Sequence, residues 1–234
     1  MILLCFMGDV HREWFNVYGL LDRIERRKLT HANIIQCGDW GVGFVEYDVD
    51  MKDMEALNEC LKSVNVKIFV IRGNHDDPKY FNGNISFSNL KLVRDYEVFS
   101  IDGFNILPIG GATSIDKEWR KIHGYGWWPN EKVFLNEKRL KTFENVDIVV
   151  SHTAPIFVKP FVIDKVFDIN DVLKKELEDE RKLMEKIFNM LHEKNNIRYW
   201  FYGHFHGNSE MVSAFETYES VDFRFLDEHE IFCL

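Results

Sequence analysis

Five apolar runs in this chain each stop at a short polar segment carrying histidine, aspartate or asparagine, and this recurrence constrains the fold more than any other feature. The clearest case is the run Val66-Lys67-Ile68-Phe69-Val70, followed by Ile71-Arg72-Gly73-Asn74-His75-Asp76-Asp77. The β-branched run reads as a buried strand, and Gly73 lets the backbone turn sharply at low cost. A carboxamide, an imidazole and two carboxylates then sit at the rim of a sheet, where α/β proteins place their chemistry. Taken singly, such a segment is a polar turn that happens to contain a histidine. Four further exits of the same kind argue otherwise.

The first run, Ile2 to Met7, leads into Gly8-Asp9-Val10-His11. In an extended segment Asp9 and His11 point to one side and can grip one ion. Apolar residues at Trp14, Val17, Leu20, Leu21 and Ile24 have a helical period, predicting a helix over 13–27. Asn33 to Cys37 is the second strand and exits into Gly38-Asp39-Trp40-Gly41, followed by an amphipathic helix from Met54 to Leu61. Strand–helix–strand–helix–strand order predicts parallel pairing with right-handed crossovers. Later in the chain, Val146 to Val150 exits into Ser151-His152-Thr153, and Arg198 to Tyr202 exits into Gly203-His204-Phe205-His206-Gly207. Between them Val172 to Glu193 reads as a long helix with one apolar face.

The rhythm differs between residues 91 and 145. Lys91 to Ser100 and Phe104 to Ile109 read as a hairpin turning at Asp102-Gly103. A glycine-rich excursion follows, from Gly110 to Pro129, holding Trp119, Trp127 and Trp128, half of the six tryptophans. Such a loop serves either as a functional element or as an aromatic lid packed on the body. Glu131 to Phe143 reads as a helix, and the tail from Met211 as strands completing a second sheet.

The chain of 234 residues, 46% hydrophobic and 29% charged, fits an ordinary globular protein with one domain over 1–234. A net charge of -9 argues against a partner as polyanionic as extended nucleic acid. Small anionic substrates stay open, because bound metal ions would reverse the local field. Cys5, Cys37, Cys60 and Cys233 lie far apart, which predicts reduced, mostly buried thiols and a cytoplasmic protein. Residues 1–7 are apolar but too short, and lack the basic leader, for a signal peptide; no run is long enough to span a membrane.

Together the five exits offer Asp9 and His11, Asp39, Asn74 and His75, His152, and His204 and His206. Imidazole and carboxylate ligands from separate strand ends would converge on one rim, a mixture suited to borderline divalent metals, and their number suits two ions sharing one carboxylate. The ordered set D-x-H, G-D, G-N-H-D, H and G-H-x-H, from Asp9 to His206, resembles the calcineurin-like metallophosphoesterase superfamily. The resemblance implies an α/β fold, a four-layer αββα sandwich of two mixed sheets flanked by helices. It implies that Asp9, His11, Asp39 and His206 hold one metal, and Asp39, Asn74, His152 and His204 the other. The ions would be two divalent metals, Mn, Fe, Zn, Co or Ni, with Mn favoured. Two cations about 3.5–4 Å apart neutralise phosphoryl oxygens and acidify water into a nucleophile near neutral pH. His75, next to Asn74 and not itself a ligand, would act as general acid toward the leaving oxygen.

The chain departs from the G-D-x-V-D-R-G pattern of the Ser/Thr protein phosphatases, reading Gly38-Asp39-Trp40-Gly41-Val42-Gly43. Val42 stands where the family's His-orienting Asp would be, and Gly43 where its phosphate-gripping Arg would be. Asp76, Asp77 or a backbone carbonyl are the substitutes considered for orienting His75, and Arg120 or Arg72 for the clamp, with Arg120 preferred for binding substrate. The expected function is hydrolysis of a phosphomonoester, of a small molecule or a phosphoprotein. The alternatives are a phosphodiesterase acting on a cyclic or small nucleotide stacked on Trp119, Tyr125, Trp127 or Trp128, and a non-catalytic metal-binding scaffold.

Overall fold

The structure is a computed structural model that describes residues 3–26, 31–158, 170–206 and 216–234. Ile2, Arg27, Gly207 and residues 211–215, which the expected elements include, lie outside these. The first apolar runs form β1 (Leu3–Met7), β2 (Ala32–Gln36) and β3 (Val66–Val70), joined in parallel, with β4 (Leu90–Leu92) parallel beside β3. The helices α1 (Trp14–Arg26) and α2 (Tyr47–Ser63) form the crossovers. On the other edge β11 (Ile231–Cys233) runs antiparallel to β1, so this sheet has the order β11-β1-β2-β3-β4.

The second sheet has the order β5-β6-β7-β8-β10-β9. Its members are β5 (Phe99–Ile101), β6 (Phe104–Ile109), β7 (Ile148–Ser151), β8 (Tyr199–Tyr202), β9 (Glu216–Tyr218) and β10 (Val221–Phe225). Strands β6, β7, β8 and β10 are parallel, and β5 and β9 close the two edges antiparallel. The remaining helices are α3 (Lys117–His123), the single turn α4 (Glu137–Leu140) and α5 (Asp171–His192).

Period-two alternation sorts the strand residues into layers. In β1, Cys5 and Met7 pack with α1 and α2, whereas Leu4 and Phe6 join the cluster between the sheets. In β8, Trp200 packs with Met184, Ile187 and Phe188 of α5, and Phe201 faces the other sheet, where its ring stacks on Phe6 at 3.6 Å. Two mixed sheets therefore lie face to face with helices outside, as expected. Because both faces of each sheet are covered, the central strands are predominantly apolar, and the polar exits stand out against them.

Four expectations need correction. The stretch Lys91 to Ser100 is not one hairpin strand: β4 belongs to the first sheet and β5 to the second. Asp95 breaks the run because its carboxylate accepts from Gly110 N–H at 2.8 Å and pairs with Arg72 at 2.9 Å, turning the chain between sheets. The helix expected over Glu131 to Phe143 is reduced to α4, because Glu131 is buried against Ser114 and Arg120 while Asn136 accepts from Arg139 N–H, starting the helix late. The tail is divided between the sheets: β9 and β10 join the second, and β11 the first. Finally, Cys5 and Cys233 are not reduced thiols; they are cross-strand neighbours of β1 and β11 joined by a disulfide. Cys37 is free and buried, and Cys60 is free but exposed. The expectation of a cytoplasmic protein drew on four reduced thiols and loses that support. Among the described residues no helix is long and apolar enough to cross a membrane.

Candidate metal centre

The exits of β1, β2 and β3 meet those of β7 and β8 at one end of the two sheets. Backbone hydrogen bonds set their spacing. The amides of Val10 and His11 donate to the Asp39 carbonyl at 3.0 and 2.8 Å, and the Gly203 amide donates to the His152 carbonyl at 3.1 Å. Glycine is required where ligand loops approach most closely. A Cβ at Gly73 would run into the Asp39 carboxylate, and one at Gly203 into that of Asp9. The expectation of an extended Asp9–His11 segment is not met, since His11 has φ 49°. Both side chains nevertheless face the centre, with His11 Nε2 3.7 Å from Asp9 Oδ2. Five of the residues at these exits, His11, Arg12, Asp39, His204 and His206, adopt positive φ. Such a concentration of left-handed, non-glycine backbone is typical of functional loops.

Two groups of ligand-type atoms result, each with its atoms within 4.8 Å of one another: Asp9, His11, Asp39 and His206, and Asp39, His152 and His204. Asp39 is common to both. Asn74 joins the second group through its Oδ1, 2.8 Å from His152 Nε2, while its Nδ2 donates to Ser114 Oγ at 3.0 Å. Ser114 therefore fixes which end of the amide faces the centre. The Cys37 carbonyl, 2.8 Å from His152 Nδ1, favours the tautomer whose Nε2 lone pair faces the centre. Glu228, in the turn before β11, stands 2.9 Å from His206 Nδ1.

The charge balance fits divalent cations. Burial raises the carboxyl pKa of Asp9, but His11, His152 and His206 outweigh it and hold it well below the usual range. Asp39 is likewise held low against its burial by His152 and His75. In turn, burial lowers the His152 and His75 imidazoles, yet Asp39 holds them up at about 9 and about 10. Desolvation and the neighbouring His152 push the half-buried His204 down to about 3. The two buried carboxylates and the adjacent imidazoles thus hold one another toward their charged forms. A mixed nitrogen and oxygen donor set in this state is one that exchanges protons for borderline divalent ions.

His75 lies outside both groups. Its Nδ1 is 2.8 Å from Asp39 Oδ2, and its Nε2 faces Asp116 Oδ2 at 3.7 Å. Neither of its two acidic neighbours in sequence orients it. The Asp76 carboxylate accepts from the amides of Trp40, Gly41, Val42 and Gly73, bracing two ligand loops together. Asp77 caps the 3₁₀ turn Pro78–Phe81 and pairs with Lys79 at 2.8 Å. Arg72 is equally committed, to Asp95 and to the carbonyls of Gly110, Asn130, Glu131 and Lys132.

Arg120 is 1% exposed, and its guanidinium reaches Ser114 Oγ, Glu131 Oε2 at 3.1 Å and the Gly126 carbonyl at 2.7 Å. Its Nε is 3.1 Å from Asp116. It ties the glycine-rich excursion to the Asn74 turn instead of presenting an unengaged fork to the centre. Ser114, Asp116 and Glu228 are the neighbours that the sequence does not flag. The first two lie in the excursion, whose tryptophans attract attention first, and Glu228 lies in a tail with no ligand spacing.

No curated protein matches the chain. Among solved structures, one crystal structure aligns over 99% of this chain and 98% of its own at 12% identity with a TM-score of 0.58, a likeness of fold. An archaeal phosphodiesterase aligns over 97% of this chain and 84% of its own at 13% identity, with a TM-score of 0.39. The sequence profile of the calcineurin-like phosphoesterases matches residues 2–208, a span that takes in every strand exit described above. With that match over most of its length, the chain belongs to the calcineurin-like phosphoesterase family.

Proposed function

We propose that this chain is a dinuclear metal-dependent phosphoesterase that hydrolyses a phosphomonoester. The observation that supports this reading most directly is the pair of ligand groups sharing Asp39, with His75 beside them and outside both. Asp9, His11, Asp39 and His206 would hold one ion, and Asp39, Asn74, His152 and His204 the other. When bound, the two ions supply Lewis acidity, neutralising phosphoryl oxygens and lowering the pKa of water. The protein's own part is positional. Asp39 joins the two sites, Ser114 aims the Asn74 oxygen, and the Cys37 carbonyl aims His152.

In the reaction a water oxygen bonds to phosphorus and the ester P–O bond breaks. His75 gives the proton on its Nε2 to the leaving oxygen, and the proton lost by the attacking water goes to solvent. Asp116, facing that same nitrogen, stabilises the protonated ring before transfer.

One observation favours a second reading, cleavage of a phosphodiester. A monoester dianion profits from a guanidinium beside the metals. Here the guanidinia of Arg12, Arg72 and Arg120 are all engaged, Arg12 by Asp50 and Asp53. A diester carries one charge fewer and needs the clamp less. Chelator-stripped protein re-supplied with Mn²⁺ should release nitrophenol from p-nitrophenyl phosphate or its bis-ester, and the ratio of the two rates chooses between the readings. His75→Ala should lower the rate by about 10²–10⁴. A non-catalytic scaffold would cleave neither ester and would be indifferent to this substitution.

A further inference from the structure

The loop between Asp39 and α2 carries a residue that the metal chemistry does not use. Phe44 lies beside the catalytic histidine, its ring 6.1 Å from the His75 ring and inclined to it by 21°. Tyr125 follows at 5.4 Å from Phe44, and Trp119 at 6.0 Å from Tyr125. These rings form a continuous wall leading outward from His75. It is built, not incidental: Trp128 meets Phe44 edge-on at 5.4 Å, and a Cβ at Gly126, which has φ +52°, would strike the Phe44 ring. Arg120 secures the loop that carries Tyr125 by binding the Gly126 carbonyl, and the Tyr125 amide donates to the Arg120 carbonyl at 2.9 Å. The outer rings are left open to solvent, Tyr125 and Trp119 each being 54% exposed.

The place of this wall determines what it touches. On the reading proposed above, His75 protonates the leaving oxygen, so the leaving group occupies the His75 side of the centre while the phosphoryl group sits over the metal ligands. We propose that Phe44 and Tyr125 form a leaving-group subsite for a nucleoside, with the base stacked on the wall and the ribose bridging to the ester oxygen. Offset aromatic faces bind any flat base through dispersion and electrostatics. They offer little to a sugar phosphate or an aliphatic ester. The inference rests on the catalytic assignment for its orientation, but the binding it describes is measurable without turnover.

The test is calorimetric titration of Mn²⁺-loaded His75→Ala protein with adenosine 5′-monophosphate and with ribose 5-phosphate, which differ only by the base. The nucleotide should bind tighter by roughly 5- to 100-fold, the worth of stacking one base. Phe44→Ala and, separately, the exposed Tyr125→Ala in the same background should erase most of that preference while leaving ribose 5-phosphate binding unchanged. Equal affinity for the two ligands, binding of neither, or a preference that survives both substitutions overturns the inference. Restored p-nitrophenyl phosphate hydrolysis without a base preference would sink the subsite and leave the phosphoesterase standing. A base preference abolished by the substitutions, in a protein that cleaves no ester, would support the subsite and sink the catalytic reading.

Discussion

A carboxamide ligates a metal only through its oxygen, and Asn74 has its orientation decided by Ser114. The Ser114 hydroxyl accepts a hydrogen bond from Asn74 Nδ2 and donates one to Glu131 Oε2 at 2.8 Å, so donor and acceptor run in one direction. Glu131 in turn is buried between Ser114 and Arg120. Ser114→Ala removes the acceptor and frees the amide to turn. Metal affinity of the site that includes Asn74 should fall about 10- to 100-fold, the usual cost of losing such support. Stepwise Mn²⁺ titration should show one site weakened and the other retained. Equal weakening of both, or of neither, would remove Ser114 from this role.

Among the elements, α5 carries an acid in the wrong place for a solvated helix face. Glu180 is buried and accepts from Thr113 Oγ1 at 2.7 Å, and burial raises its pKa from the usual 4.5 to about 7 despite that hydrogen bond and the nearby His152. The fold therefore prefers the protonated acid. Its contribution to stability is full below about pH 4.5 and is lost as pH rises to about 7, where the buried carboxylate must ionise. The shift corresponds to roughly 3 kcal/mol between those limits. Glu180→Gln should thus melt like the parent at pH 4.5 and above it at pH 8, with a flatter dependence of melting temperature on pH. A parallel pair of curves would show that Glu180 does not titrate in this range. The sequence could show α5 through its periodic Leu173, Leu177, Met184, Ile187, Phe188 and Leu191, but not that Glu180 turns inward. Period identifies the buried face, whereas a polar residue on its edge is assigned only by what packs there. The same reason explains the missing helix at Glu131, whose partners Ser114 and Arg120 are 17 and 11 residues away.

At the scale of the whole molecule, the strand exits were legible because buried parallel strands are apolar and any ligand at their ends stands out. Asp9, His11, Asp39, Asn74, His152, His204 and His206 could be picked out in this way, and the structure brings them to one end of the sheets. What was not legible depends on closure between distant segments. The pairing of β11 with β1 places Cys233 beside Cys5, 228 residues away, and the same turn carries Glu228 to His206. The disulfide fastens that edge to the strand that delivers Asp9. Reduction, or Cys233→Ser, should lower unfolding stability by about 2–5 kcal/mol in denaturant melts, and unchanged melts would show that the β1–β11 pairing holds without the bond.

The account stands on two metal sites joined through one carboxylate. Metal content after dialysis against Mn²⁺, measured alongside ester hydrolysis, tests it most directly. The parent chain should bind two ions and cleave ester only when both are present, and Asp39→Asn should weaken both sites together and abolish turnover. A single bound ion that supports full activity, or two ions and full activity retained in Asp39→Asn, would contradict it.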